Sequence, residues 1–257
     1  MQAWVAAAEA ALEASGAAIR PYFRAGTLAD DKSDESPVTV ADRKAEQVLR
    51  EVLLAAFPDC GIIGEEFPPH RPDQKYTWVI DPIDGTRAFI TGRTTFCTLL
   101  GLLEDGVPVL GFIDQPITRE RFWGGRGVPA SFTGGFGGKM GTRQNVTLAG
   151  AEFSATAPEM FTPEQMTRLD RLKGAAKRVY WGGDAYSYGL LALGQIDVVA
   201  ECSLKPWDWA ALAPVVEAAG GVVTDWAGRK LKLGVTEGDV VATANAALHR
   251  EALTALG

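Results

Sequence analysis

The sequence predicts a layered α/β sandwich, with helices packed around two sheets, on three observations. Helical and strand-like apolar spacings alternate along the whole chain. No linker interrupts the 257 residues. Hydrophobic side chains make up 47% of them, ample for a continuous core. Residues 3–24 and 39–56 read as helices, the second from the spacing of Ala45, Val48, Leu49, Val52, Leu53 and Ala56. Strand-like runs follow near 61 and 76 and at 95–103, 107–114 and 120–123, with Glu104-Asp105-Gly106 a hairpin signal between the third and fourth. Gly124 to Gly141 reads as hairpin turns and mobile loop. Its Gly138-Lys139 mimics the end of a phosphate loop, but Thr133 stands where the first glycine belongs and Met140 where the hydroxyl belongs. In the second half, strands are expected near 152, 178 and 197–201 and helices at 163–173, 185–193 and 209–219. Pro214 should kink the last of these. A strand near 240 and a helix over 245–255 finish the pattern. One compact domain over 1–257 is expected, with most candidate ligands in the half 1–145 and the rest in 146–257.

Charge and residue inventory exclude several classes. A net charge of −7 and a pI near 5.0 argue against nucleic acid, whose phosphates require a basic stripe. Cys60, Cys97 and Cys202 are odd in number and far apart, which argues against a disulfide framework and for a reducing, cytoplasmic setting. Glu9 and Glu13 lie among alanines in the first twenty residues, so this stretch reads as an amphipathic helix and not as a secretory signal. No apolar run approaches the roughly 18 residues of a membrane span. With only His70 and His249, a histidine zinc site or a Ser-His-Asp triad has little to draw on.

Asp81-Pro82-Ile83-Asp84-Gly85-Thr86 is the richest stretch chemically. Tyr76 to Ile80 reads as a buried strand, so Asp81 should project from its C-terminal end, the edge where α/β sheets bind ligands. Pro82 makes a rigid bend that aims Asp84 back toward Asp81. Gly85 and Thr86 open a helix or turn whose N–H groups favour an anion. Hard oxygens facing an anion hole suggest a divalent metal beside a phosphate, and oxygen ligands suit Mg²⁺ or Mn²⁺. Gly64-Glu65-Glu66 puts another carboxylate at a second strand end, and Asp208 stands where the N-cap of a helix is expected. Each also has an ordinary reading. Asp-Pro and Asp-Gly punctuate turns, Glu65 and Glu66 are solvated loop charges, Asp208 caps its helix, and Asp42 completes a capping box with Thr39.

Taken together and in this order, these segments resemble the two signatures of the inositol monophosphatase superfamily of magnesium-dependent phosphatases. The resemblance spans nearly the whole chain and implies a five-layer αβαβα sandwich. It places Glu65, Asp81, Asp84, Asp208 and the Ile83 carbonyl on the family's metal-ligand positions, with two to three Mg²⁺ ions (or Mn²⁺) per subunit. Thr86, held by Asp42, matches with it the pair that positions and activates the attacking water, with Glu65 among the catalytic groups. Gly85 and Thr86 would hold the phosphate, and Lys32 falls in a loop over the metals. The reaction implied is direct attack of a metal-activated water on phosphorus, without a phosphoenzyme. Homodimers are common in the family, and the implied partner is a small phosphate monoester.

Within the superfamily, Thr86 to Gly92, Gly111 to Pro116, Gly183 to Gly189 and Leu204 to Asp208 look most like the histidinol-phosphate phosphatase branch. That resemblance puts Asp184 and Glu201 against the leaving alcohol. L-Histidinol phosphate carries an ammonium and a protonatable imidazole, so carboxylates in the pocket would favour it over a neutral polyol. Their ordinary readings are a helix cap for Asp184 and an exposed strand charge for Glu201. Inositol monophosphate, 3′-phosphoadenosine 5′-phosphate and a sugar bisphosphate are the alternative substrates. A metal-sensing binding protein is the alternative class.

Overall fold

The computed structural model describes residues 1–25, 29–31 and 37–257; Lys32 lies outside them. The chain begins with α1 (Gln2–Ile19), shorter than the expected 3–24 because Pro21 has no N–H for the α-ladder and the chain tightens into a 3₁₀ turn at Arg20–Tyr22. β1 (Ala29–Asp31) and β2 (Pro37–Thr39) form an antiparallel pair that leads into α2 (Val40–Ala56). Next come β3 (Gly61–Gly64), β4 (Tyr76–Asp84), α3 (Thr86–Ile90), β5 (Cys97–Glu104), β6 (Val107–Gln115), β7 (Glu120–Gly125) and β8 (Val128–Thr133). Strands β3 to β8 make one sheet in sequence order, with β3 and β4 parallel and every later pair antiparallel.

The second half supplies β9 (Glu152–Ala155), α4 (Pro163–Ala175), β10 (Arg178–Trp181), α5 (Tyr186–Ala192), β11 (Val198–Glu201), α6 (Pro206–Trp209), α7 (Leu212–Ala218), β12 (Val222–Asp225), β13 (Val240–Thr243) and α8 (Ala246–Leu256). Its sheet runs β10-β9-β11-β13-β12, parallel on the β10 side and antiparallel where β11, β13 and β12 meet.

Apolar residues on both faces of the first sheet explain its near-continuous hydrophobic strands. On one face Trp78, Ile80, Leu100, Leu102, Leu110 and Phe112 pack with Ala8, Leu12, Leu49 and Leu53 of α1 and α2. On the other, Val79, Leu99, Ile113 and Phe122 meet Tyr188, Trp209, Val215 and Val216 from the middle helices. Those helices also cover Val199, Val223 and Ala242 of the second sheet. The far face of that sheet, with Phe153, Val198 and Val241, is closed by Leu169, Leu172, Leu248 and Ala252 of α4 and α8. The order is therefore αβαβα, as expected. Among the described residues no helix is long and apolar enough to cross a membrane.

Three local expectations need correction. The glycine-rich stretch is not all turn and loop. It contains β8, an edge strand whose Phe132 pairs with Phe122. β12 follows Gly220-Gly221 where no strand was foreseen. The helix expected over 209–219 is two helices. The N–H that Pro214 lacks would have bonded to the Ala210 carbonyl, so the ladder breaks at Ala210-Ala211 and Pro214 falls harmlessly in the first turn of α7. That break rests on the first sheet: a Cβ on Gly111 would lie 1.9 Å from the Ala211 carbonyl oxygen. Only glycine admits the junction of α6 and α7 so close, and α6 carries Asp208.

Candidate active site

The site forms where β3, β4 and α6 converge. The Asp81 carboxylate accepts the Ile83 N–H at 3.0 Å, and the register of β4 against β5 shifts between Asp81 and Asp84. Pro82 is held in this bend by the Thr98 hydroxyl, which donates to its carbonyl at 2.8 Å. The bulge brings Asp84 to the side of Asp81 that an undisturbed strand would deny it. Asp84 in turn accepts the Ala185 N–H at 2.7 Å, tying the first sheet to the start of α5. Asp208 is not the N-cap of α6 but its third helical residue. Its carboxylate reaches back to the Lys205 N–H at 2.6 Å, as the acid of a capping box does. One oxygen each from Asp81, Asp84 and Asp208 lies within 4.8 Å of the others. Glu65, whose N–H donates to the Ile80 carbonyl at 3.3 Å, lines the same cavity.

So many acids in one place cannot all ionise without a counter-charge. Burial first, then Glu65, Asp84, Asp208 and Asp42, holds the Asp81 carboxyl well above the usual range. Burial, then Asp184 and Asp208, does the same to Asp84, and burial pushes Asp208 up to about 7. Among the described residues the cluster is short of positive charge, and its donors are all hard oxygens. These are the properties a small divalent cation satisfies, so the residues fit Mg²⁺ or Mn²⁺.

The cavity is about 710 Å³, and both sheets contribute to it. Gly85, at the mouth of α3, has φ +80° and approaches Asp184 so closely that a Cβ there would lie 2.9 Å from its carboxyl carbon. Asp184 itself has φ +45°, receives the Thr95 hydroxyl at 3.4 Å, and is held up by burial against the lowering pull of Thr95, Arg93 and Arg87. Its carboxylate does not cap α5. Glu201 is no exposed strand charge: it is 3% exposed, and one of its oxygens accepts both the N–H (2.9 Å) and the hydroxyl (2.8 Å) of Thr156. The other oxygen is buried without a hydrogen-bond partner among the described residues, and burial lifts the carboxyl to about 8. Thr86 donates to the Ile83 carbonyl at 3.1 Å, among the described residues, and not to Asp42. Asp42 is buried in the first turn of α2, close enough to Asp81 to raise its pKa.

Two residues of this site carry no role in the sequence reading. Glu46, fully buried on α2, accepts from Arg50 at 2.8 Å and from the Glu66 N–H at 2.7 Å, anchoring the turn that presents Glu65. The i, i+4 spacing of Glu46 and Arg50 was the available signal. Tyr188 lies in the cavity wall; at helical spacing it reads simply as core.

The sequence model of the inositol monophosphatase family matches residues 1–256. A chloroplastic bifunctional phosphatase of Arabidopsis thaliana is 40% identical over 98% of this chain and 75% of its own length. A histidinol-phosphatase of Mycobacterium tuberculosis is 38% identical over 88% of this chain and 87% of its own. Among solved structures, an inositol monophosphatase from Zymomonas mobilis superposes with a TM-score of 0.88 at 44% identity, covering 98% of this chain and 96% of that one.

Proposed function

The chain belongs to the inositol monophosphatase family, and from that premise we propose that it is an Mg²⁺-dependent phosphatase that hydrolyses L-histidinol phosphate to L-histidinol and phosphate. As a member of that family it is a phosphoric monoester hydrolase. The observation that carries the choice of substrate is the buried oxygen of Glu201 that no group among the described residues engages. A carboxyl raised to about 8 by burial is neutral until a cation joins it, and a protonated amine or imidazole on the leaving alcohol supplies that charge. Asp184, across the same cavity, offers a second carboxylate. A neutral polyol would bring no positive charge to either. Histidinol-phosphatase relatives point the same way, whereas the Zymomonas structure is of an inositol monophosphatase.

Asp81, Asp84, Asp208, Glu65 and the Ile83 carbonyl would hold the metal. When bound, Mg²⁺ supplies charge neutralisation for the phosphate and lowers the pKa of water. The protein's own groups do the rest. The N–H groups at Gly85 and Thr86 bind the phosphoryl oxygens, with Gly85 in a conformation that lets the backbone approach closely. Asp42 and Thr86 orient the water whose oxygen bonds to phosphorus as the bond to the alcohol oxygen breaks. Glu201 and Asp184 hold the departing alcohol by its cationic end. The chain acts as one cytoplasmic domain and as a homodimer on this reading.

Phosphate release from a panel of esters, with and without Mg²⁺, tests it. Histidinol phosphate should show the highest kcat/KM, and a chelator should abolish turnover. Preference for inositol monophosphate, a nucleoside bisphosphate or a sugar bisphosphate would overturn the substrate, and turnover after exhaustive chelation would overturn the metal.

A further inference from the structure

Tyr188 sits on the buried face of α5, 1% exposed, with its ring among the apolar side chains between the two sheets. Its hydroxyl is fully buried and has no hydrogen-bond partner among the described residues. A buried phenol of this kind costs stability unless something engages it, which makes an orphaned one worth explaining. The residue lines the same cavity as Glu201, Asp184 and Asp84. Glu201 brings a second orphaned oxygen to that cavity. The two come from neighbouring elements, because α5 packs against β11 and Glu201 ends β11. Burial, followed by the charges of Glu201, Asp84 and Asp208, holds the phenol far above the ordinary tyrosine range, so it keeps its proton.

The chemistry of the ligand follows from these acceptors. A primary ammonium has three N–H donors and needs three acceptors in a desolvated pocket. Glu201 and Asp184 offer one oxygen each, and a phenol oxygen offers the third without adding a further negative charge beside the carboxylate cluster. The phenol O–H remains available to a neighbouring carboxylate. We propose that the Tyr188 hydroxyl is a specificity-determining contact for the ammonium of the leaving alcohol, completing with Glu201 and Asp184 a three-acceptor subsite for a primary amine. This rests on the histidinol-phosphate reading and adds a residue and an atom to it.

Tyr188→Phe keeps the buried ring and removes only the oxygen. The probe pair is L-histidinol phosphate and 3-(imidazol-4-yl)propyl phosphate, the same ester without its amine. The variant should lose about tenfold or more in kcat/KM on the amine-bearing ester relative to the amine-free one, the measure of one hydrogen bond to a charged group. Its Tm should be equal to or above that of the wild type, since the deleted oxygen has no partner in the fold. Equal loss on both esters, or no loss on either, overturns the proposal, and equal loss with a lowered Tm assigns the phenol to the fold. The wild type tests the parent reading separately. If it fails to discriminate the two esters, the amine is not recognised at all, and both the substrate assignment and the Tyr188 contact fall. If it discriminates but Tyr188→Phe discriminates equally, only the Tyr188 contact falls.

Discussion

Replacing Glu46 by Gln should damage metal affinity from a position that touches no metal. The Glu46 carboxylate is fully buried and splits its oxygens between the Arg50 guanidinium at 2.8 Å and the Glu66 N–H at 2.7 Å. Burial raises its pKa, opposed by those same two donors, so the anion is held by its partners. A Gln side chain presents one carbonyl oxygen and one NH₂, and whichever donor meets the NH₂ is left facing another donor. Arg50, whose side chain is only 14% exposed, also loses its counter-charge. Losing a hydrogen bond to a charged group costs about 1.5 to 3 kcal/mol, and breaking a buried pair about 3 to 5. The amide can still satisfy one of the two donors, so a stability loss of about 2 to 4 kcal/mol is expected. The functional consequence runs through the peptide between Glu65 and Glu66. Once its N–H is no longer anchored, the Glu65 carboxylate samples more positions, and loss of such supporting contacts typically weakens metal binding about 10- to 100-fold. The assay is the Mg²⁺ dependence of phosphate release, paired with urea unfolding of the metal-free protein. Half-saturating Mg²⁺ should rise by that factor, with most of kcat recovered at saturation. An activation curve that superimposes on the wild type while stability falls would refute the reasoning and reduce Glu46 to a core residue.

Three further outcomes are expected. Asp84→Asn keeps an acceptor for the Ala185 N–H, so the fold should survive while turnover drops about a thousandfold, as when one clamping cation is lost; near-normal turnover would remove Asp84 from the ligand set. Glu201→Gln should raise KM for histidinol phosphate far more than for glycerol phosphate, by roughly 1.5 to 3 kcal/mol, whereas equal losses would make Glu201 a support of the fold. His249, buried between the hydroxyls of Thr224 and Thr243 at 2.9 Å each, has its imidazole lowered by burial from 6.5 to about 4. The unfolded chain therefore takes up a proton that the folded one refuses. This contribution is present above about pH 6.5 and lost as pH falls toward 4, by up to about 3 kcal/mol. His249→Gln should flatten the pH dependence of Tm in that window, and an unchanged slope would show that other groups set it.

The sequence by itself determined that helices and strands alternate around a buried core and that the candidate site is rich in hard oxygen ligands. Both are written in local signals: the periods of α2 and β4, the Asp-Pro-Ile-Asp-Gly-Thr turn, and the shortage of histidine and cysteine ligands. Asp81, Asp84, Asp208 and Glu65 were all legible as carboxylates at element ends, and the structure brings them to one cavity. Local signals failed where a residue's role depends on what lies across from it. Asp208 read as an N-cap because its own turn allows that, yet it is the third residue of a short helix whose junction with α7 is seated on Gly111. Glu201 read as an exposed strand charge because a single charge in a short run usually faces water. It is buried, and the partner that holds one of its oxygens, Thr156 just after β9, lies 45 residues away. Glu46 and Tyr188 carry no signal of a site role in their local sequence. Only the packed layers decide that one carboxylate grips the Glu65 turn and that one phenol is buried in the wall of the cavity. The periodicity of a chain encodes which face is apolar, but desolvation and the identity of a polar group's partner are properties of the space between elements, and that space exists only once the sheets and helices have closed around it.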